Sequence, residues 1–308
     1  MQKIFSDVRC WTDEHRFKVG AGLGLALALL LVAAPYEPVK RKAWGVINYF
    51  SSKTSALGLD RYRVDIDGMS TLPGNNYSGL AFDPSSNTLW TVTNQQPMLV
   101  QLSVSGELMR SIPLQGFKDP EAVEYMSPNH LVVLEERRRR MTEVEVSKDT
   151  KVLTQTGHRE FSISSVDDEN KGFEGLAYNP SLEKWFIAKE KNPIRIFEVT
   201  GAFPVGTSAD VDVHNDPSRD QRFPVSDLSG LAYDPKSGHL LVLSDESKTV
   251  LEVDDKGAVV GSLRLRAGDQ GLKSDIPQPE GIAVDSSGAI YIMSEPNLFY
   301  RFQHQAAG

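Results

Sequence analysis

A chain of 308 residues with 40% apolar content can bury a sizeable core, and its only cysteine, Cys10, excludes a disulfide framework and a cysteine-ligated zinc site. A net charge of −8 and a pI near 5.4 disfavour nucleic acid as a partner, because phosphate binding needs a basic face. An acidic surface suits cations or basic ligands, and equally suits plain solubility.

The N-terminal segment 1–18 carries Lys3, Arg9, Arg16 and Lys18 and is expected to be cytoplasmic. Val19 to Ala34 carries no charge, and extending it from Phe17 to Tyr36 gives about 30 Å of helix. Such a run is either a short membrane helix or the apolar part of a signal peptide. Val32-Ala33-Ala34 has the small residues of a cleavage site, but Pro35 hinders processing, so a transmembrane helix or signal anchor is expected over 19–36. Lys40, Arg41 and Lys42 nearly balance the basic residues before the segment, which leaves orientation open. A signal-like segment leading a single domain favours export, hence an inner (plasma) membrane location with the domain periplasmic. Residues 37–57 read as a juxtamembrane linker.

From about residue 58 the chain repeats itself. Ser78-Gly79-Leu80-Ala81-Phe82-Asp83-Pro84 returns as Glu174-Gly175-Leu176-Ala177-Tyr178-Asn179-Pro180 and as Ser229-Gly230-Leu231-Ala232-Tyr233-Asp234-Pro235. Glu280-Gly281-Ile282-Ala283-Val284-Asp285 and the degraded Glu121-Ala122-Val123-Glu124-Tyr125 are further copies. A period of roughly 40–55 residues is that of propeller blades. Each copy leads through a turn rich in Pro, Ser, Asn and Gly into a second apolar run (88–92, 131–134, 185–188, 240–243 and 290–293), then a third strand. Fourth strands are expected at 108–113, 151–156, 211–215 and 259–265. The last repeat lacks one, and Arg61–Ile66 supplies it, closing the ring and removing a sheet edge. The expected fold is all-β: a five-bladed β-propeller over 58–305, closed by an N-terminal strand and preceded by a single membrane-anchor helix. The run Arg137-Arg138-Arg139-Arg140, between strands of the second blade, reads as a solvated loop.

Aligning the copies exposes two rings of positions. The residue before the glycine position is Ser78, Glu121, Glu174, Ser229 and Glu280; the residue ending the second strand is Asn94, Glu136, Glu190, Asp245 and Glu295. In an antiparallel hairpin these positions share an edge, and the first strand of a blade lines the channel, so all ten converge at one mouth. Seven of the ten are carboxylates. Their mutual repulsion is relieved by raised pKa values, by counter-charge or by a bound hard cation. Calcium takes six to eight oxygen ligands in tolerant geometry, and no histidine or cysteine joins the rings to favour zinc or copper. The expected calcium ligands come from Glu121, Glu174 and Glu280, then Asn94, Glu136, Glu190, Asp245 and Glu295, the other reading being a solvated acidic channel. Asn75, Asn76, Asp119, Asp167, Asp168, Glu169, Asp227 and Asp275, in loops leading into first strands, add oxygens nearby.

No histidine falls at the channel mouth: His130 and His239 occupy equivalent hairpin turns, and His158 and His214 lie near outer strands. A Ser-His-Asp arrangement, a Walker loop and a dinucleotide fingerprint have no support.

A short apolar N-terminal segment followed by S/E-G-L-A-[FY]-[DN]-P repeats resembles the SdiA-regulated (YjiK-like) family over roughly residues 58–305. The resemblance implies a five-bladed propeller with bound calcium, distantly related to NHL-repeat propellers. Glu174-Gly175 and Glu280-Gly281 are also similar to the motif of gluconolactonase-type propellers, in which a glutamate at that place ligates the metal. Those propellers are usually six-bladed, and Ala122 follows Glu121 here. A weaker similarity to esterase-like phytase propellers exists. Two functions are therefore expected: a membrane-anchored calcium-binding propeller whose channel face takes an unknown ligand or protein, or a metal-dependent hydrolase acting on a lactone or phosphoester.

Overall fold

A computed structural model of the chain describes residues 55–70, 73–74, 76–163, 172–204 and 210–305. The expected membrane helix over 19–36, the segment 1–18 and nearly all of the 37–57 linker lie outside the described residues. Among the described residues, no helix is long and apolar enough to cross a membrane.

The repeats fold as five antiparallel sheets. Strand β1 (Tyr62–Met69) is followed by blade one, comprising β2 (Tyr77–Asp83), β3 (Thr88–Thr93), β4 (Met98–Ser103) and β5 (Leu108–Gln115). Blade two holds β6 (Pro120–Ser127), β7 (His130–Glu135) and β8 (Arg140–Glu145), with the short strands β9 (Leu153–Thr154) and β10 (Glu160–Ser162) after them. Blade three is β11 (Phe173–Asn179), β12 (Lys184–Lys189), β13 (Arg195–Thr200) and β14 (Asp212–Asn215). Blade four is β15 (Gly230–Asp234), β16 (His239–Ser244), β17 (Thr249–Val253) and β18 (Val259–Arg264). In blade five, β19 (Gln278–Val284), β20 (Ile290–Glu295) and β21 (Leu298–His304) are completed by β1, whose Tyr62, Val64 and Met69 pair with His304, Phe302 and Phe299. The innermost strands touch in a closed cycle, β2 to β6 to β11 to β15 to β19 and back to β2. The molecule is a five-bladed propeller closed by its N-terminal strand.

Each letter of the repeat has a structural cause. At the glycine position the strands approach the axis so closely that four blades carry no side chain and the second only a methyl: a Cβ on Gly281 would lie 2.6 Å from the Gly79 backbone, and one on Gly79 would lie 2.7 Å from Ala122 Cα. Gly175 and Gly230 carry the same crowding on round the ring, toward Gly230 and the Glu280 carbonyl respectively. The following residue (Leu80, Val123, Leu176, Leu231 or Ile282) enters a blade–blade interface, each in a different one of the five core clusters. The Asp or Asn closing the motif turns the hairpin, its side chain accepting the N–H two residues on: Asp83 from Ser85 at 2.9 Å, Asn179 from Ser181 at 3.0 Å, Asp234 from Lys236 at 3.1 Å and Asp285 from Ser287 at 2.8 Å.

Two expectations are corrected. The segment expected to be the outer strand of blade two, 151–156, runs back to blade one: Leu153 and Thr154 pair in parallel with Leu114 and Gln115, and Glu160–Ser162 takes the edge of blade two. Burial drives this, since Leu153 packs in the cluster between blades one and two. The arginine run is not simply a solvated loop. Arg138 and Arg140 converge on Glu135, whose side chain is fully buried and also accepts the Lys118 N–H at 2.7 Å, whereas Arg137 points outward to Asp119. Glu135 is a buried carboxylate with all its hydrogen-bonding capacity used, and the arginines are its counter-charge.

The axis crowding sets a stability prediction. Gly281→Ala must push the Gly79 backbone aside and is expected to cost about 1–3 kcal/mol, whereas Ala122→Gly, which only relieves contact, costs no more than about 1 kcal/mol. Urea unfolding at unchanged slope measures both.

Candidate metal centre

In blades two, three and five the residue before the axial position sits on a kink in the ladder. In β11 the pairing runs Phe173 with Lys189 and then Gly175 with Ala188, skipping Glu174; β6 and β19 skip Glu121 and Glu280 in the same way. Such a bulge leaves one residue unpaired and re-aims its side chain, here toward the axis. The end of the second strand is held to the same place by a repeated bond. Asn94 N–H donates to Asn76 O at 3.3 Å, Glu136 N–H to Asp119 O at 3.0 Å, and Glu190 N–H to Gly172 O at 3.2 Å. In blade four the Asp227 carboxylate replaces the carbonyl, accepting the Asp245 N–H at 3.0 Å.

The two rings therefore meet at one mouth, in a polar cavity of about 230 Å³. Glu121, Glu174, Glu280, Asn94, Glu190, Asp245 and Glu295 line it, with Ser78, Ser229 and Asp227. Glu136 is not a wall of this cavity but joins it through Glu121: carboxylate oxygens of Asp119, Glu121 and Glu136 lie within 4.8 Å of one another. Asp167, Asp168, Glu169 and Asn75 lie outside the described residues. Asp275 is spent on the Ala267 N–H at 2.8 Å and is not a wall of the cavity.

Charge divides the site into a rim and an interior. At the rim, Lys191 pairs with Glu190 at 2.7 Å and with Glu246 at 2.8 Å, Lys248 with Asp245 at 2.6 Å, and Arg137 with Asp119 at 2.9 Å. Inside, no cation among the described residues reaches Glu121, Glu174 or Glu280. Glu121 accepts only from Asn94 Nδ2, at 3.2 Å, and from Ser78. Burial, and secondarily the neighbouring carboxylates, push the Glu121 carboxyl up to about 7 and Glu280 up to about 9 from an ordinary value near 4.5. Burial raises Glu174 well above that range too, with Glu121, Glu136, Glu280 and Glu190 adding repulsion. Asn94 Oδ1 is buried beside them with no hydrogen-bond donor.

This donor set fits a hard divalent cation. It is all oxygen, rich in carboxylate, and includes an amide oxygen left without a partner. Glu121, Glu174, Glu280 and Asn94 would hold such an ion, with Asp119 and Glu136 beside them. Lys191 and Lys248, absent from the expected set, neutralise the rim; the run Lys189-Glu190-Lys191 directly after the second strand was the available signal. His130 and His239 are structural, each bound through Nδ1 to a glutamate on the neighbouring strand, Glu143 at 2.8 Å and Glu252 at 2.7 Å.

Solved structures similar to this chain are likewise propellers. A luciferin-regenerating enzyme has a TM-score of 0.51 at 12% identity, covering 78% of this chain and 95% of its own. Regucalcin from Agrobacterium tumefaciens str. C58, described as a calcium-binding protein, has a TM-score of 0.47 at 14% identity over 77% and 93% of the two chains. A gluconolactonase from Xanthomonas campestris has a TM-score of 0.44 at 12% identity over 78% and 96%. At these identities the likeness concerns the fold alone. The sequence profile of the SdiA-regulated family matches residues 54–303, the whole ring with its closing strand, and the chain belongs to that family.

Proposed function

We propose that this protein is a calcium-binding propeller, tethered to the inner membrane through residues 19–36 with the ring on the periplasmic side, whose acidic mouth presents a metal-ordered surface to a ligand or partner. One observation carries the metal: three inward glutamates with no counter-cation among the described residues surround the same cavity as an amide oxygen with no donor among them. Calcium supplies there the positive charge that would let Glu121, Glu174 and Glu280 ionise together. It would also tie blades one, two, three and five to one point on the axis. The uncharged run 19–34 supports the tether.

A second reading, hydrolysis of a lactone or phosphoester, has one specific observation in its favour. Glu121 is held near neutrality beside Asp119 and Glu136, which suits a general base. A bound metal supplies Lewis-acid polarisation in such chemistry. Against it, no histidine among the described residues lines the mouth, and His130 and His239 are committed to Glu143 and Glu252.

Three measurements follow. Calcium at about a hundredfold over its dissociation constant should raise the melting temperature by roughly 5–10 °C, corresponding to about 2.7 kcal/mol by mass action. Glu174→Gln should lose most of that gain, and a melting curve indifferent to calcium and chelator overturns the proposal.

In chelator the pH dependence has a definite sign. The folded-state pKa values of Glu121, Glu174 and Glu280 lie above the unfolded value near 4.5, so the folded chain holds protons that the unfolded chain releases. Their contribution is fully present below about pH 4.5 and is lost as pH rises through 7 toward 9. Metal-free melting temperatures should therefore fall from pH 6 to pH 8, and the increment from calcium should grow over the same interval.

A panel of lactones and phosphoesters, assayed with and without calcium, separates the two readings. Turnover abolished in Glu121→Gln favours the hydrolase; no turnover with calcium stabilisation intact favours the binding module.

A further inference from the structure

The other mouth of the channel is built differently. The inner strands run from the acidic mouth toward it, and three residues past the axial position four of them carry an aromatic ring: Phe82, Tyr125, Tyr178 and Tyr233. All four line a cavity of about 460 Å³, within the range of small-molecule sites. None of the four is fully buried; Tyr178 stacks on Trp185 and Tyr233 on Phe186, which leaves at most one face of each of these two for a guest.

One residue breaks the repeat there. The position before the aromatic is Ala81, Ala177, Ala232 and Ala283 in four blades, and Glu124 in the second. Glu124 lines the cavity, and its one hydrogen bond among the described residues comes from the adjacent Tyr125 N–H at 2.8 Å. It is in none of the ion pairs among the described residues. The other two carboxylates of the wall are spent on their turns. Asp234 holds Lys236 N–H and Ser237, and Asp285 holds Ser287, Ala289 N–H and the Tyr291 hydroxyl at 2.7 Å. Lys236 is exposed, at the edge of the wall.

A carboxylate placed where the repeat calls for alanine, among aromatic faces and without a cation, is the recognition chemistry of an organic ammonium. The apolar walls and ring faces favour a weakly hydrated cation, and a carboxylate fixes its position. We infer that this second mouth binds a small organic ammonium ion, with Glu124 as the counter-charge and Tyr125, Tyr178, Tyr233 and Phe82 as the enclosing faces. Desolvation pushes the vacant carboxyl up to about 8, so a cation entering near neutral pH expels a proton, and affinity rises with pH. The titratable or charged groups facing the cavity with Glu124 are Asp234, Asp285, Lys236 and the three tyrosines.

The test uses the full-length protein and two probes of equal shape, choline and its uncharged carbon analogue 3,3-dimethylbutan-1-ol, with n-butylammonium as a primary-amine arm. Saturable binding of choline or n-butylammonium is expected by calorimetry and by tyrosine fluorescence, with the neutral analogue at least about tenfold weaker. Glu124→Gln, which keeps the shape, and Glu124→Ala, which restores the residue of the other blades, should each weaken binding by about tenfold or more. Both should fold, with melting temperatures no lower than the parent's, since they remove a partly buried carboxyl whose one hydrogen bond among the described residues comes from the next residue's N–H. Tyr233→Leu should weaken binding, and chelator should not abolish it, which separates this mouth from the acidic one. Equal binding of the neutral analogue, binding unchanged in both Glu124 variants, or no saturable binding of any ammonium probe overturns the inference.

Discussion

Everything in this molecule depends on how closely five strands approach one axis. A Cβ on Gly281 or Gly79 would overlap a neighbour's backbone, so the ring closes only because the axial position is glycine or, once, alanine. That constriction leaves a gap of about 10 Å³ on the axis, barely the room for a single water. The channel is therefore two separate cups, and what lines each cup is set by the residue on either side of the glycine.

On one side the bulge aims a glutamate inward from blades two, three and five, and blades one and four place a serine at the same mouth. Five-fold architecture forces these groups together whether or not their charges agree. The rim pairs, Lys191 with Glu190 and Glu246 and Lys248 with Asp245, show the ordinary solution to carboxylate crowding. The interior has no such solution among the described residues. Protonation removes the repulsion there at the cost of charge, and a divalent cation removes it while keeping the charge. A site of the kind proposed would bind metal and protons in competition, which would couple the stability of the whole ring to both.

Much of this was legible from the sequence because a repeat lets equivalent positions be compared without an alignment. The blade count, the closing strand and the convergence of Glu121, Glu174 and Glu280 all follow from the motif and its period. The parts that were not legible share a cause: they depend on departures from the repeat, or on contacts between blades. The outer strand at 151–156 failed because Leu153 finds its burial against blade one, and strand propensity says nothing about which sheet will take a strand. The arginine run was misread because Glu135, on the strand before it, is indistinguishable in sequence from the half-buried Glu136 beside it. Their strand positions put one side chain in the core and the other at the mouth.

The same logic gives weight to Glu124. In a repeat protein the expected residue at each position is stated by the other copies, so a substitution shows as a local conflict between sequence and fold. An alanine position beside the axis is small because it faces the next blade, and a glutamate there costs desolvation that a single hydrogen bond from the Tyr125 N–H and no ion pair among the described residues offsets. Ordinary drift within the motif, such as Val284 for an aromatic or Ala122 for glycine, keeps the apolar character of its site. Glu124 alone in its row exchanges an apolar side chain for an ionisable one. Carboxylates that turn the hairpins, Asp83, Asp234 and Asp285, are saturated with hydrogen bonds even though Asp234 and Asp285 reach the wall of the second cup, whereas Glu121 and Glu124 accept few among the described residues. Saturation thus separates the carboxylates that build the ring from those left for a guest, which is why the two proposals place positive charge at Glu121 in one cup and at Glu124 in the other.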